Sequence, residues 1–143
     1  MALNTPMTER PRAKLTAVNK IPVKPALPFI QELRLLDGDK ILATARWYAP
    51  LGDDGVVQIL DLFVDPLHQR TGHGSAIMRA IYDEAKTLFT RLDLKPRRIW
   101  INVEQKSQVN GRAFLSRHGF HHVSTIKNLI RKQDALIYLR SFD

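Results

Sequence analysis

The sequence has 143 residues and a formal net charge of +8, from 22 Lys and Arg against 14 Asp and Glu. This length suits one domain, and a hydrophobic content of 44% can build a core, which excludes a wholly disordered chain. No stretch approaches the ~18 apolar residues of a membrane span, and the lack of cysteine excludes disulfides and a cysteine nucleophile. Residues 1–16 lack the apolar region of a secretory signal, so a cytoplasmic location is expected.

The positive charge favours an anionic partner, such as a nucleic acid, a membrane surface or a phosphorylated small molecule. Half of it lies in residues 1–28, whose charged side chains sum to +4 and which hold five of the eight prolines. Because proline fixes φ and removes a donor, no long helix or central strand can run through this segment. We therefore expect a basic arm over residues 1–28, with at most a short strand at 13–18, followed by one domain over residues 29–143.

Three strands are predicted at the start of this domain. Residues 29–36 and 40–48 alternate in polarity, and the Asp-Gly-Asp sequence at 37–39 between them is typical of a turn, which predicts a hairpin. Residues 56–64 are almost continuously apolar. That pattern predicts a central strand of the sheet, covered on both faces.

Helices and strands then alternate. A helix is predicted over residues 75–89, because four apolar side chains recur on one face at helical spacing: Ile77, Ile81, Ala85 and Leu88. The strand predicted at 99–103 follows this helix, so it is expected to run parallel to the 56–64 strand.

A short helix and two strands are predicted at the end of the chain. The helix covers residues 109–118 and ends at Gly119 in a C-cap position. Strands at 120–130 and 135–142 follow. The order after the arm is β-β-β-α-β-α-β-β, which indicates an α/β or α+β layer fold with a mixed sheet.

The most informative motif lies between the apolar strand and the first helix: Gln69, Arg70, Thr71, Gly72, His73 and Gly74. Glycines here let the backbone approach a ligand, and the N–H groups at the start of the helix form an anion site. The sequence is neither a Walker A loop nor a G-x-G-x-x-G dinucleotide fingerprint. Phosphate is the expected ligand.

This motif matches the Q/R-x-x-G-x-G/A pattern, and the chain here resembles the GNAT superfamily of acetyl-CoA-dependent N-acetyltransferases. Residues 59–66 are similar to the strand before that motif, residues 99–103 to the next strand, and residues 111–120 to the closing helix with its Gly-Phe signature. The resemblance covers about residues 40–138. It implies a mixed central sheet with helices on both faces.

The resemblance also implies how acetyl-CoA would bind. Pantetheine would pair with the backbone at Phe63 and Val64. The pyrophosphate would lie on the motif and the residue after it: Gln69, Arg70, Thr71, Gly72, His73, Gly74 and Ser75. The family often has an asparagine early in the closing helix, and here Asn110 and Gln108 both fall near that position.

The implied reaction is direct transfer from the thioester to a primary amine on a small molecule or peptide, which agrees with the lack of cysteine. The amine needs a base or a water relay. Asp61, a carboxylate within the apolar strand, and Glu104, at the end of the next strand, are the candidates. Their structural alternatives are an arginine or backbone partner for Asp61 and a solvated loop position for Glu104.

Two departures from the family bear on activity. Many members have a tyrosine after the Phe of the closing helix, which protonates the departing thiolate, and Leu115 stands at that position. The family's N-terminal helices, which build the acceptor pocket, are replaced here by the proline-rich arm. The acceptor site would then be open, completed by a second subunit in a homodimer, or lost.

Two other functions remain open. The chain could be a degenerate member that binds CoA without transfer, or a basic nucleic-acid-binding protein whose affinity falls steeply with salt. No aromatic pattern typical of RNA stacking accompanies the basic residues, which makes the nucleic-acid hypothesis the weaker one. No metal site is expected, because cysteine and an H-E-x-x-H sequence are both absent.

Overall fold

The computed structural model describes residues 13–18, 29–49, 54–65, 72–104, 109–130 and 132–142. These contain seven strands and two helices. In chain order they are β1 (Lys14–Ala17), β2 (Phe29–Asp37), β3 (Lys40–Ala49), β4 (Val56–Val64), α1 (His73–Arg91), β5 (Arg98–Glu104), α2 (Val109–Arg117), β6 (His121–Ile130) and β7 (Gln133–Ser141). The predicted order after the arm is confirmed.

All seven strands belong to one mixed sheet with the order β1-β2-β3-β4-β5-β7-β6. Neighbouring strands are antiparallel except β4 and β5, which are parallel as predicted. β1 lies within the proline-rich segment and pairs with β2 from Lys14↔Leu36 to Ala17↔Leu33. Part of that segment is therefore the edge of the sheet.

The two helices connect parallel strands across the sheet. α1 leads from β4 to β5, and α2 leads from β5 to β6, which runs parallel to β5 because both are antiparallel to β7. Both crossovers proceed in the same direction, so right-handed connections place both helices on the same face. The expected helix on the opposite face has no counterpart within the described ranges.

The core lies between α1 and the covered face of the sheet. The four apolar side chains predicted to line one face of α1 are all completely buried: Ile77, Ile81, Ala85 and Leu88. They belong to the same cluster as the inward side chains of β2 to β5, among them Leu33, Ala45, Trp47, Val57, Ile59 and Ile99. The amphipathic pattern of α1 therefore predicted its buried face correctly.

The prediction that β4 is covered on both faces is wrong for the described residues. Val57 and Ile59 are buried, but Leu60 is 37% exposed and Phe63 is 53% exposed. The pairs Arg46↔Asp61 and Trp47↔Ile59 leave Leu60 as an extra residue, so β4 contains a β-bulge at this point. An apolar run identifies a central strand but does not show whether its second face is covered.

Candidate active site

The parallel strands β4 and β5 pair over only their first half. Their register runs from Val56↔Arg98 to Ile59↔Ile101 and ends there. β4 continues beside β3 to Val64, and β5 continues beside β7 to Glu104. The sheet therefore opens between residues 60–64 and 102–104, and we call this gap the strand opening.

The N-terminus of α1 lies beside the end of β4. A Cβ atom on Gly74 would lie 3.4 Å from Cγ2 of Val64. The N-cap, Gly72, has a φ of 86°, makes no side-chain capping bond, and is followed by a first turn without acidic residues. The first N–H groups of a helix have no acceptor within the helix, so this end of α1 is suited to an anion.

The predicted cofactor residues divide between described and undescribed parts of the chain. Gly72, His73, Gly74 and Ser75 form the N-cap and first turn of α1. Phe63 and Val64 lie on β4 at the strand opening, on opposite faces of the sheet by strand alternation. Gln69, Arg70 and Thr71 lie outside the described residues, as does the side chain of Asn110 in the first turn of α2.

Helix α2 packs directly onto the first turn of α1. A Cβ atom on Gly74 would lie 3.2 and 3.3 Å from two ring carbons of Phe114. One turn further along, His118 Nε2 lies 2.8 Å from Ser75 Oγ. The rings of Phe114 and His118 are in contact, with centroids 4.7 Å apart. Phe114 of α2 and His118, directly after α2, therefore both contact the first turn of α1.

His118 contacts the candidate site through Ser75, and the sequence reasoning did not select it. Burial lowers the pKa of its imidazole, and the positive charges of Arg140, Arg79 and Arg117 lower it further. Both effects favour the neutral form of the ring. Arg140 Nη1 also donates to the His118 carbonyl oxygen at 2.9 Å, which fixes the backbone at the end of α2.

Asp61 lies at the bulge in β4, on the face of the sheet opposite α1 and α2. We call this the open face. Asp61 Oδ2 accepts a hydrogen bond from Arg46 Nε at 2.7 Å and forms an ion pair with Nη2 at 2.6 Å. The hydrogen bond and the charge of Asp61 raise the pKa of Arg46. The arginine partner considered from the sequence is present, and both side chains are about half exposed.

Glu104 lies on the other side of the strand opening. It is the last residue of β5, opposite Ala135 of β7, and it is partly buried. Side chains alternate along β5, so Glu104 lies on the face opposite the buried Ile101. Asp61 and Glu104 thus lie on the same, open face, on the two strands that diverge.

Asn102 is a second residue that the sequence reasoning missed. It is the first residue of β5 beyond the last pair with β4, and it shares a face with Glu104. Its Oδ1 is buried and has no hydrogen-bond partner within the part of the chain that the structure describes. A buried acceptor without a donor costs about 1–3 kcal/mol, which favours a ligand or water as its partner. The sequence did carry a signal for this residue, because Asn102 is a polar residue within the otherwise apolar part of β5.

Two further properties of the described residues concern metals and membranes. No group of three or more His, Asp or Glu side chains among them could hold a metal ion. No helix among them has the length and hydropathy needed to span a membrane.

Solved structures with the same fold come from several acetyltransferases. The Escherichia coli ribosomal-protein-S18-alanine N-acetyltransferase aligns with this chain at a TM-score of 0.66 and 20% sequence identity. The alignment covers 85% of this chain and 73% of the Escherichia coli chain. Arabidopsis thaliana NAA60, solved with a bisubstrate analogue, has a TM-score of 0.67 and 12% identity, with coverage of 78% and 75%. An Elizabethkingia anophelis GNAT family acetyltransferase with acetyl-CoA bound has a TM-score of 0.65 and 15% identity, with coverage of 78% and 76%.

The family model of the GNAT acetyltransferases matches residues 5–120, so this chain belongs to the acetyltransferase (GNAT) family. Members of this family are acyltransferase enzymes that use acetyl-CoA. The match includes most of the proline-rich segment, which the resemblance in the motifs did not reach. No curated protein sequence matches the chain significantly.

Proposed function

We propose that this protein transfers the acetyl group of acetyl-CoA directly to a primary amine of a small molecule or peptide. The strand opening beside the N-terminus of α1 carries this proposal. Where β4 and β5 diverge after Ile59↔Ile101, the edge of β4 gives an extended ligand access to the backbone. The start of α1 offers N–H groups and a positive dipole end for a pyrophosphate.

The cofactor would follow β4 and then cross the start of α1. Its pantetheine arm would pair with the backbone near Phe63 and Val64, and its pyrophosphate would lie on the turn from Gln69 to Ser75. Gly72 has a left-handed φ, and a Cβ atom added to it would meet none of the described residues within 4 Å, so they leave room for a large anion there. Asn110 would lie on the far side, in the first turn of α2.

The acceptor amine would approach from the open face. Its nitrogen attacks the thioester carbonyl carbon, the C–N bond forms, and the oxyanion that results collapses with loss of the CoA thiolate. The proton released by the amine passes to a carboxylate, directly or through water. Asp61 and Glu104 flank the strand opening on this face, and Asn102 Oδ1 is available to accept a hydrogen bond from the amine.

Kinetic assays of CoA release, with acetyl-CoA and a panel of primary amines, test the transfer and assign the base. Replacing the true base, by Asp61→Asn or Glu104→Gln, should lower kcat/KM by about 10²–10⁴-fold. The other replacement should have a small effect. Asp39→Asn, in the exposed turn between β2 and β3, is the matched control for loss of a carboxylate.

The alternative of a degenerate CoA-binding protein has one observation in its favour. Leu115 stands where many family members have a tyrosine that acts as a general acid. Its side chain is 3% exposed and belongs to the core. Tight CoA binding without turnover of any amine would establish this alternative. Absence of any affinity for CoA or acetyl-CoA would overturn both hypotheses.

A further inference from the structure

The first turn of α1 is held by two residues of the α2 segment that lie one helical turn apart. Phe114 packs on Gly74, and His118 bonds to the hydroxyl of Ser75. The contact of the Phe114 and His118 rings keeps the imidazole edge directed at Ser75. The role of this pair depends on which of the two partners donates the hydrogen bond.

Donor counting distinguishes two arrangements of this pair. A serine hydroxyl has one hydrogen to donate, and a neutral imidazole has one N–H. If His118 Nε2 accepts, the Ser75 hydrogen is used on the ring and its oxygen presents only lone pairs to an anion. If Nε2–H donates to Oγ, the Ser75 hydrogen remains available. Only the second arrangement adds a donor to the anion-binding turn.

The surroundings of His118 hold its backbone and favour the neutral form of its ring. Arg140 Nη1 donates to its carbonyl oxygen, and Gly119, with a φ of 83°, lies beside the Arg140 side chain, where an added Cβ atom would be 3.4 Å from Nε. Burial and the three neighbouring arginines lower the pKa of the imidazole. His118 can therefore act on a bound anion by donating through Ser75 without adding another positive charge.

We propose that His118 is a positioning residue for the cofactor, whose Nε2–H donates to Ser75 Oγ and so directs the Ser75 hydroxyl to donate to the pyrophosphate of CoA. This inference rests on the proposed function, since it assigns a further residue to the same site. His118 does not touch the ligand itself. Its effect is limited to the pyrophosphate and leaves the chemistry at the thioester unchanged.

Substitutions at both ends of the bond test the inference. His118→Phe keeps an aromatic ring beside Phe114 but removes the donor, and Ser75→Ala removes the hydroxyl. Each should weaken binding of CoA and raise KM for acetyl-CoA about tenfold, the effect of one charge-assisted hydrogen bond, with kcat unchanged at saturation. His118→Gln restores a terminal N–H donor and should recover most of the affinity. His121→Phe, at an exposed histidine of β6, is the matched control.

A series of shortened cofactors locates the effect. With dephospho-CoA, which keeps the pyrophosphate, the two variants should lose the same tenfold in affinity. With acetyl-pantetheine, which lacks it, they should match the wild-type protein in KM. The double variant Ser75→Ala/His118→Phe should lose no more than either single variant, because one hydrogen-bond chain is broken in each case.

Three outcomes would overturn the inference: unchanged CoA affinity in His118→Phe, an equal loss with acetyl-pantetheine, or additive losses in the double variant. If His118→Phe does not fold, His118→Asn carries the same predictions, since its amide is too short to reach Ser75. Failure of the wild-type protein to bind CoA would instead refute the proposed function, so the two failures are distinguishable.

Discussion

Glu84 places a carboxyl group at the buried side of α1. Its Oε2 is buried without a hydrogen-bond partner among the described residues. Burial raises the pKa of the carboxyl group above its usual value, and the nearby Trp47 side chain opposes the change. The folded state therefore binds this proton more tightly than the unfolded state, and stability falls as pH rises from the usual pKa through the raised one.

Replacing Glu84 by glutamine should stabilise the protein at alkaline pH. The amide keeps the shape of the side chain and removes the buried charge, so we expect Tm to rise by about 2–4 °C at pH 8. Below pH 4 the carboxyl is protonated in both states, and the difference should vanish. Thermal unfolding at both pH values checks this, with the exposed neighbour Asp83→Asn as control. A larger gain at pH 4 than at pH 8 would contradict it.

The contact between α1 and α2 depends on the absence of a side chain at Gly74. Alanine normally stabilises a helix relative to glycine by about 1 kcal/mol. At Gly74 the new methyl group would press on the Phe114 ring, whereas at Gly111 in α2 it would have no atom within 4 Å. We expect Gly111→Ala to stabilise the protein and Gly74→Ala to destabilise it.

Chemical denaturation of these two variants measures the contrast. Adding Phe114→Leu to Gly74→Ala should recover part of the lost stability, because the smaller side chain yields to the methyl group. An equal gain from both alanine substitutions would show that the helices move apart freely.

The start of β4 is joined to the start of β5 through Gly55. Its carbonyl oxygen accepts from the backbone N–H of Arg97 at 2.7 Å and of Arg98 at 3.1 Å. Gly55 has a φ of 67°, and a Cβ atom added to Gly55 would lie 2.5 Å from the Lys95 carbonyl oxygen. This junction holds together the paired half of the two strands, from which the strand opening diverges.

Gly55→Ala should therefore destabilise the protein by about 3 kcal/mol, from positive φ and backbone overlap together. Gly38→Ala is the matched control, because Gly38 also has a positive φ, of 61°, but an added Cβ atom would have nothing within 4 Å. Gly38→Ala should lower the free energy of unfolding by only ~1–2 kcal/mol, the cost of the left-handed conformation for alanine. Equal losses in urea denaturation would show that the close approach to Lys95 is unimportant.

For the whole molecule, β1 decides how much of the N-terminal segment the fold needs. Deleting residues 1–12 leaves β1 intact, whereas deleting residues 1–28 removes it and exposes the edge of β2. An exposed edge strand promotes association. We expect the shorter deletion to keep the wild-type Tm, and the longer one to lower it and to raise light scattering at 37 °C. Identical behaviour of both deletions would show that residues 29–143 fold independently.

Most elements could be predicted from the sequence because their signals are local. The 3.6-residue spacing of Ile77, Ile81, Ala85 and Leu88 fixes the buried face of α1 with no knowledge of its partner. Gly119 ends α2 as predicted, with a φ of 83°. The glycine motif before α1 indicated the family together with the strand before it, the next strand and the closing helix, all of which are local patterns in the sequence.

The site could be predicted only in part, because its geometry depends on residues far apart in sequence. Whether the second face of β4 is covered, and where β4 leaves β5, depends on how β4 pairs and packs with distant parts of the chain, including its two neighbours β3 and β5. The contact between Ser75 and His118 spans 43 positions. The burial of Asn102 Oδ1 without a hydrogen-bond partner among the described residues is a property of the packed state. The local pattern of apolar residues and glycines was enough to predict the elements and to suggest a phosphate-binding turn, whereas the strand opening and the partners of each polar side chain arise from tertiary packing.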